Sequence, residues 1–160
     1  MDRIRIRNAR PPDAAIIADF NVRMAMETEG RPLEAALIGA GVTAVLDDPA
    51  KGRYWVAETN GEIVGQLLVT YEWSDWRNGV FWWIQSVYVR GDYRRKGVFS
   101  ALHRHVESLA RASEDVCGLR LYVERDNRRA QRTYLALGMT SPGYQVMEVD
   151  FRTKHIPRKP

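Results

Sequence analysis

The N-terminal third of the chain combines two hydrophobic periods. Residues 3–8 place arginine and isoleucine in alternation, and a period of two predicts a strand with one buried face. Two prolines follow, and Asp13 stands where a capping residue would begin a helix over residues 14–27. Apolar residues at helical spacing predict a second helix over residues 32–46, which an Asp-Asp-Pro sequence ends.

Strand patterns dominate the middle of the chain. Residues 54–59 and 62–73 are rich in β-branched and aromatic residues, and they flank Asn60-Gly61, a pair typical of a type I′ hairpin turn. A second Asn-Gly turn leads into residues 80–89, which have the same composition. We therefore expect three consecutive antiparallel strands.

A helical period returns after residue 97. Val98, Leu102, Val106 and Leu109 fall on one stripe, which predicts a helix of about four turns. Residues 118–123 have the composition of another strand. The sequence thus predicts an α/β fold with a mixed, largely antiparallel sheet.

The C-terminal part of the chain is predicted to add one helix and one strand. Asn127 is a candidate helix cap, with Ala130, Tyr134 and Leu137 on one face and Gly138 just beyond the helix end. Alternation over residues 144–151 predicts a closing strand. Residues 152–160 are basic, contain two prolines and are expected to form a frayed tail.

The composition bounds the class of protein. A chain of 160 residues with 45% hydrophobic side chains fits a single domain over residues 1–160. It has neither an apolar run long enough to cross a bilayer nor a secretory signal, so we expect no membrane association. Its one cysteine, Cys117, cannot form an internal disulfide and is expected to be buried and inert. A cytoplasmic location is the expectation that follows.

The two halves of the chain carry opposite net charge. Residues 1–80 contain 9 basic and 12 acidic side chains, whereas residues 81–160 contain 15 and 8. A basic half suits a polyanionic partner, either nucleic acid or a phosphorylated cofactor, but a solvated surface would give the same charge.

A candidate anion site lies at residues 87–100. There a strand is predicted to pass through a turn that contains Arg94, Arg95, Lys96 and Gly97, and a helix begins at once. The unpaired N–H groups in the first turn of a helix bind anions, and a glycine lets the backbone approach a phosphate closely. The same residues also fit an ordinary loop with a basic surface.

A second candidate lies in the short C-terminal helix. Asn127 and Tyr134 are seven residues apart and project from one face of that helix. A phenol there can donate a proton to a leaving group, although a cap and a core aromatic would give the same pattern. His103 and His105 are two residues apart on a helix, face different directions and predict no metal site.

The two candidates together resemble the GNAT (Gcn5-related N-acetyltransferase) superfamily. The order of predicted elements is similar over about residues 3–151, and the specific similarity lies in residues 84–139. The acetyl-CoA motif of the family, Q/R-x-x-G-x-G/A, matches at Arg94 and Gly97. Phe99 departs from it, because the family usually has glycine or alanine there, so its amide and not its ring is the expected ligand.

The resemblance implies acetyl-CoA as cosubstrate and assigns the residues that hold it. Backbone groups of Val87 and Val89 would pair with the pantetheine arm, Asn127 would contact the same region, and Tyr134 would protonate the departing thiolate. The pyrophosphate would be held by the turn and the first helical residues: Arg94, Arg95, Lys96, Gly97, Val98, Phe99 and Ser100.

The acceptor is predicted to be a primary amine of a small, cationic molecule, with a peptide amine as the open alternative. Four of the five tryptophans lie within residues 73–83, next to Glu72 and Asp75, and carboxylates beside aromatic rings attract cations. Glu72 is the candidate general base or amine-orienting group. The other candidate substrate-binding residues are Trp73, Asp75, Trp83 and Gln85. At least two of the tryptophans are instead expected to pack in the core or in a homodimer interface.

The sequence therefore predicts a metal-independent N-acetyltransferase in which the amine attacks acetyl-CoA directly. One alternative is a non-catalytic acyl-CoA-binding regulatory module, which turnover with any amine would exclude. Nucleic-acid binding is a weaker alternative, because no helix-turn-helix, zinc or RNA-binding signature accompanies the basic residues.

Overall fold

The computed structural model describes residues 3–152, so the frayed tail predicted over residues 152–160 lies outside them apart from Arg152. The described residues contain five strands and four α-helices. They belong to two compact units, Met1–Tyr122 and Val123–Pro160. In chain order the elements are β1 (Arg5–Asn8), α1 (Ala14–Glu29), α2 (Ala35–Asp47), β2 (Arg53–Thr59), β3 (Glu62–Ser74), β4 (Gly79–Val89), α3 (Val98–Ala112), β5 (Val116–Leu121) and α4 (Arg128–Ala136).

All five strands form one sheet in the first unit, in the order β1-β2-β3-β4-β5. The first three pairings are antiparallel, whereas β4 and β5 run parallel. The prediction of a mixed, largely antiparallel sheet in an α/β fold is confirmed. Because a parallel pair needs a crossover connection, α3 lies between β4 and β5 in the chain.

Each face of the sheet carries its own hydrophobic cluster. Tyr54 and Val56 of β2 pack with residues of α1 and α2, whereas Trp55 and Ala57 pack with residues of α3. Successive side chains of a strand point to opposite faces. The first unit is therefore a sheet with α1 and α2 on one face and α3 on the other.

The two local signals in the N-terminal half have different outcomes. The Asn60-Gly61 turn is confirmed, since both residues have positive φ, 51° and 78°, as a type I′ turn requires. Asp13 directly precedes α1 as predicted, but its side chain does not cap that helix. Its carboxylate instead accepts hydrogen bonds from the Arg7 guanidinium and from the Arg10 amide, at 2.8 and 2.7 Å, because a nearby arginine competes for the same oxygens.

The helix after residue 97 follows its predicted stripe with one exception. Val98, Leu102 and Val106 are buried, but Leu109 is 37% exposed and Ala110 is buried in its place. Ala110 continues the four-residue spacing of Val98, Leu102 and Val106, and residues four apart lie on the same face of a helix. Strand β5 begins two residues earlier than expected, at Val116.

Cys117 is exposed, contrary to the expectation that it is buried. It lies in β5, the last strand of the sheet, where one edge has no neighbouring strand among the described elements. Every residue of β5 is at least partly exposed, which explains the difference.

The second unit contains α4 and an irregular segment. The Asn127 side chain caps α4 as predicted, and Gly138 has a φ of 85° just past its end. Met139 and Gly138 donate to the carbonyls of Tyr134 and Leu135, a Schellman arrangement.

The predicted closing strand over residues 144–151 is absent from the described part of the chain. Side chains of both alternating sets are exposed there, with Val146 at 67% and Met147 at 94%. An alternating sequence favours extended backbone, but a strand forms only where neighbouring backbone groups satisfy its hydrogen bonds. The segment has no such ladder.

Candidate functional site

Strand β4 changes its pairing in the middle. Ile84 pairs with Val69 and Ser86 pairs with Leu68, so Gln85 between them is a β-bulge. Before the bulge, β4 is bonded to β3 on one side and to β5 on the other, but β5 ends opposite Ile84. Among the described strands, residues 86–89 therefore pair with β3 alone.

In the second half of β4, every other residue directs its backbone N–H and C=O groups to the side where no described strand lies. The Arg90 amide donates to the Val64 carbonyl of β3 at 2.9 Å. In an antiparallel pair, residues that bond to the neighbouring strand alternate with residues that point away. Val87 and Val89 consequently direct their N–H and C=O groups away from β3, as an added extended chain would require.

The turn after β4 is built to present N–H groups. Arg95 and Gly97 both have left-handed backbone, with φ of 63° and 82°, and α3 begins at Val98 with no side-chain cap. The first turn of a helix leaves its N–H groups without intrahelical partners, and alternating left- and right-handed residues create a concave, anion-binding nest. A Cβ on Gly97 would meet no atom within 4 Å, so the space above it is open.

The cations of the turn differ in what they contact. The Lys96 ammonium lies over the Tyr93 ring at 5.0 Å, and the Arg90 guanidinium lies over the same ring at 4.7 Å. Arg90 is also paired with Asp92 and Glu62. The Arg94 guanidinium donates from Nε to the Val89 carbonyl at 2.9 Å and is paired with Glu27 of α1.

Phe99 lies at the start of α3 and is half-buried. Its ring centroid is 6.0 Å from that of His103. His103 is itself buried, and burial lowers the pKa of its imidazole, only partly opposed by Glu107 at 3.7 Å. The Phe99 ring thus packs along its own helix.

Glu72 is engaged by two donors. Its Oε2 accepts from the Trp83 indole N–H at 2.9 Å, and its Oε1 accepts from Arg120 at 2.5 Å. Arg120 also lies over the Phe81 ring, 3.7 Å from its centroid. The structure therefore joins Glu72 and Trp83 in one ion-paired cluster on the face of β3, β4 and β5.

The remaining substrate candidates are more dispersed. Trp73 follows Glu72 in β3, so it points to the opposite face and is 62% exposed. Asp75 lies in the turn before β4 and accepts from the Trp76 amide. Gln85 is exposed at the bulge and accepts from Thr70 at 3.3 Å. Of the four clustered tryptophans, only Trp82 is buried, and Trp83 is half-buried against Tyr122.

Arg120 and Glu27 were not predicted from the sequence. Arg120 is 48 residues from Glu72, and Glu27 is 67 residues from Arg94. No local signal joins charges so far apart, because their contact depends on strand register and helix packing.

In the second unit, Asn127 and Tyr134 lie on α4 as expected. The Asn127 side chain accepts from the Ala130 amide at 3.0 Å. Burial raises the pKa of the Tyr134 phenol above its ordinary value, so the hydroxyl is protonated at neutral pH.

Metal-binding clusters and membrane-spanning helices are both absent from residues 3–152. No group of three or more histidine, cysteine, aspartate or glutamate side chains within that range is arranged to hold a metal ion. Nor does any helix in it have the length and apolar character needed to cross a membrane.

Comparison with known proteins gives a consistent result. A crystal structure of a possible acetyltransferase from Clostridium difficile 630 is 45% identical, with a TM-score of 0.88 over 94% of this chain and 99% of that one. An aminoglycoside N-acetyltransferase in complex with CoA has 14% identity and a TM-score of 0.73 over 96% and 97% of the two chains. A ribosomal-protein-alanine N-acetyltransferase from Brucella melitensis biovar Abortus 2308 has 17% identity and a TM-score of 0.73 over 93% and 100%.

The last two similarities, at such low identity, show the fold alone. No curated protein matches the chain. The family model of the acetyltransferase (GNAT) family, however, matches residues 18–139. The match covers more than half of the sequence, and the chain therefore belongs to the GNAT family of acetyltransferases.

Proposed function

We propose that this protein transfers the acetyl group of acetyl-CoA to a primary amine. The observation that carries the proposal is the continuity of one surface. The half of β4 that pairs with β3 alone is followed by a short 3-10 helix at Gly91–Tyr93, by the left-handed residues Arg95 and Gly97, and then by the N-terminus of α3. An extended arm that ends in a pyrophosphate matches such a surface in both shape and charge.

The residues present fit the cosubstrate. Val87 offers an N–H and a carbonyl, and Val89 offers an N–H, since its carbonyl already accepts from Arg94. The open space above Gly97 allows a phosphate to approach the backbone. The groups proposed to hold the pyrophosphate are the amides of Arg95, Lys96, Gly97, Val98, Phe99 and Ser100, with the exposed Arg95 and Lys96 side chains adding positive charge.

The proposed chemistry is a direct transfer. Acetyl-CoA supplies an activated thioester; the amine nitrogen bonds to its carbonyl carbon, and the carbon–sulfur bond breaks. A backbone amide near Val87 stabilises the negative charge that develops on the carbonyl oxygen. Tyr134 donates its proton to the departing thiolate, a role that its raised pKa permits at neutral pH. Asn127 is proposed to contact the pantetheine region.

The acceptor is proposed to be a small cationic amine. Glu72 has its charge shared with Arg120, so we assign it an orienting role and assign removal of the amine proton to a water chain. Trp83 donates to Glu72, and Gln85 accepts from Thr70, two residues before Glu72 in β3. Asp75 lies in the turn after β3, whereas Trp73 points to the opposite face of the sheet and is left out of the proposed surface.

A single screen tests the proposal. An amine library is incubated with acetyl-CoA, and release of free CoA thiol is measured for the wild type, for Tyr134→Phe and for Tyr144→Phe. Tyr144 is a matched control, because it is a tyrosine of the same unit that is 80% exposed. We expect Tyr134→Phe to lower turnover by ~10²-fold with acetyl-CoA binding retained, and the control to match the wild type. Equal single-turnover rates for the wild type and Tyr134→Phe would show that Tyr134 does not donate a proton to the thiolate.

One observation favours a second candidate, a non-catalytic acyl-CoA-binding module. The carboxylate that the sequence marks as a base is committed to Arg120 and Trp83. A module of this kind would be stabilised by CoA but would release no thiol with any amine. Thiol release above background with one amine excludes it.

A further inference from the structure

The motif arginine Arg94 is fixed by a residue of a distant helix. Its Nε donates to the carbonyl of Val89, the last residue of β4, at 2.9 Å. Its terminal nitrogen is paired with Glu27, which lies in the last turn of α1. Arg94 thus joins three parts of the first unit: the end of β4, the turn that precedes α3, and α1.

Glu27 is itself held in place by a second donor. Tyr88 of β4 donates from its hydroxyl to Glu27 Oε1 at 3.0 Å, while Arg94 takes Oε2. Tyr88 is only 5% exposed, and its ring packs against Phe20 of α1 at 5.0 Å between centroids. The carboxylate therefore has a buried, well-packed hydroxyl on one oxygen and a guanidinium on the other.

The charges of the cluster agree with this geometry. Burial acts to raise the pKa of Glu27, but the hydrogen bonds from Arg94 and Tyr88 outweigh it and leave that pKa below its ordinary value. Glu27 is ionised at neutral pH, and its charge pairs with the Arg94 guanidinium. Bonded to both Glu27 and the Val89 carbonyl, that guanidinium supports the turn.

We propose that Glu27 is a positioning residue for the cosubstrate turn and acts through Arg94. The inference rests on the proposed function, since the turn matters only if it binds the pyrophosphate. By holding Arg94 on the Val89 carbonyl, Glu27 fixes where β4 ends and where the N–H groups of residues 95–100 begin. Loss of Glu27 leaves the turn able to form but less ordered, which weakens CoA binding and leaves the acetyl-transfer step unaffected.

The test measures the dissociation constant of CoA by calorimetry and the KM and kcat for acetyl-CoA. The variants are Glu27→Gln, Arg94→Gln, their double variant and Glu29→Gln. Glu29 is a matched control two residues along α1, because it is exposed and its side chain makes no ion pair or hydrogen bond among residues 3–152. We expect Glu27→Gln to weaken CoA binding roughly three- to fivefold, the range one partly exposed ion pair supports, with KM raised and kcat unchanged.

The double variant tests whether Glu27 acts through Arg94. In the Arg94→Gln background, Glu27→Gln should have no further effect on CoA affinity. Additive losses, unchanged affinity in Glu27→Gln, or tighter CoA binding after release of Arg94 would each overturn the inference. A wild-type protein that binds no CoA at millimolar concentration would instead refute the proposed function, so the two failures are distinguishable.

Discussion

The two halves of strand β4 lie in one element but have different surroundings. Residues 80–84 are bonded to β3 and β5, and Trp82 and Ile84 are buried in the cluster under α3. Residues 86–89 are bonded to β3 alone and lead into the turn before α3. The first half has a bonded strand on both sides, whereas the second has one on a single side among the described strands.

The difference has identifiable causes. A bulge at Gln85 interrupts the ladder with β3, and bulges re-aim a strand. Strand β5 is only six residues long and ends opposite Ile84. The first half of β4 contributes mainly to the stability of the fold, and the second half is proposed to bind the cosubstrate. Substitutions in the two halves should therefore have separable effects on unfolding free energy and on CoA affinity.

The largest expected effect lies in the first half. Trp82 packs against Trp55 and Tyr71, at 5.9 and 6.3 Å between ring centroids. Trp82→Ala should lower the free energy of unfolding by about 3–5 kcal/mol, measured by urea denaturation. Trp76→Ala is the control, because that side chain is 88% exposed and should change stability by less than about 0.5 kcal/mol. Equal effects would show that Trp82 does not support the core.

A smaller effect is expected at Gly118 of β5, which faces the first half of β4. A Cβ there would lie 2.6 Å from the Phe81 ring, so Gly118→Ala should cost about 1–3 kcal/mol of unfolding free energy through overpacking. The affinity of the folded protein for CoA should stay at the wild-type value. A parallel loss of CoA affinity would contradict the separation of the two halves.

Gly65 offers the matched substitution beside the second half. A Cβ there would lie 3.0 Å from Val98 Cγ1 and 3.1 Å from the Tyr88 carbonyl, between β3 and the first residue of α3. Gly65→Ala should cost about 1 kcal/mol of stability and, unlike Gly118→Ala, should also weaken CoA binding by displacing the start of α3. Calorimetry with CoA checks this, and unchanged affinity would mean that the position of α3 does not control the turn.

The smallest effect is expected at Phe99. Its ring packs along α3 beside His103, and only its amide is proposed to face the pyrophosphate. Phe99→Gly should therefore change the dissociation constant of CoA by less than about tenfold, or 1.4 kcal/mol. A much larger loss in a variant that still unfolds cooperatively would assign the ring itself to the CoA site.

The sequence predicts those features whose signals are local. The Asn60-Gly61 turn and the glycine turn at residue 97 are each encoded within a few neighbouring residues and form as expected, and the buried stripe of α3 does so except at Leu109. The pairing of Glu72 with Arg120 depends on the register of β3, β4 and β5. The register of β3 and β4 also changes at the Gln85 bulge, and no pattern in the sequence predicts that bulge.

The errors have the same origin. The alternation of residues 144–151 describes which side chains could share a face, but it does not supply a neighbouring strand, and that segment is irregular. Asp13 has the residue type of a helix cap, yet the Arg7 guanidinium takes its carboxylate. In both cases a contact outside the local sequence decides the structure.

Amide hydrogen exchange with and without CoA tests the central claim most directly. The account predicts that CoA slows exchange at the amides of Val87, Val89 and residues 95–100. The amides of residues 80–84 should not change, because β3 and β5 already satisfy that half of the strand. Protection spread equally over both halves of β4, or absent from residues 95–100, would contradict the assignment of the second half and its turn to the cosubstrate.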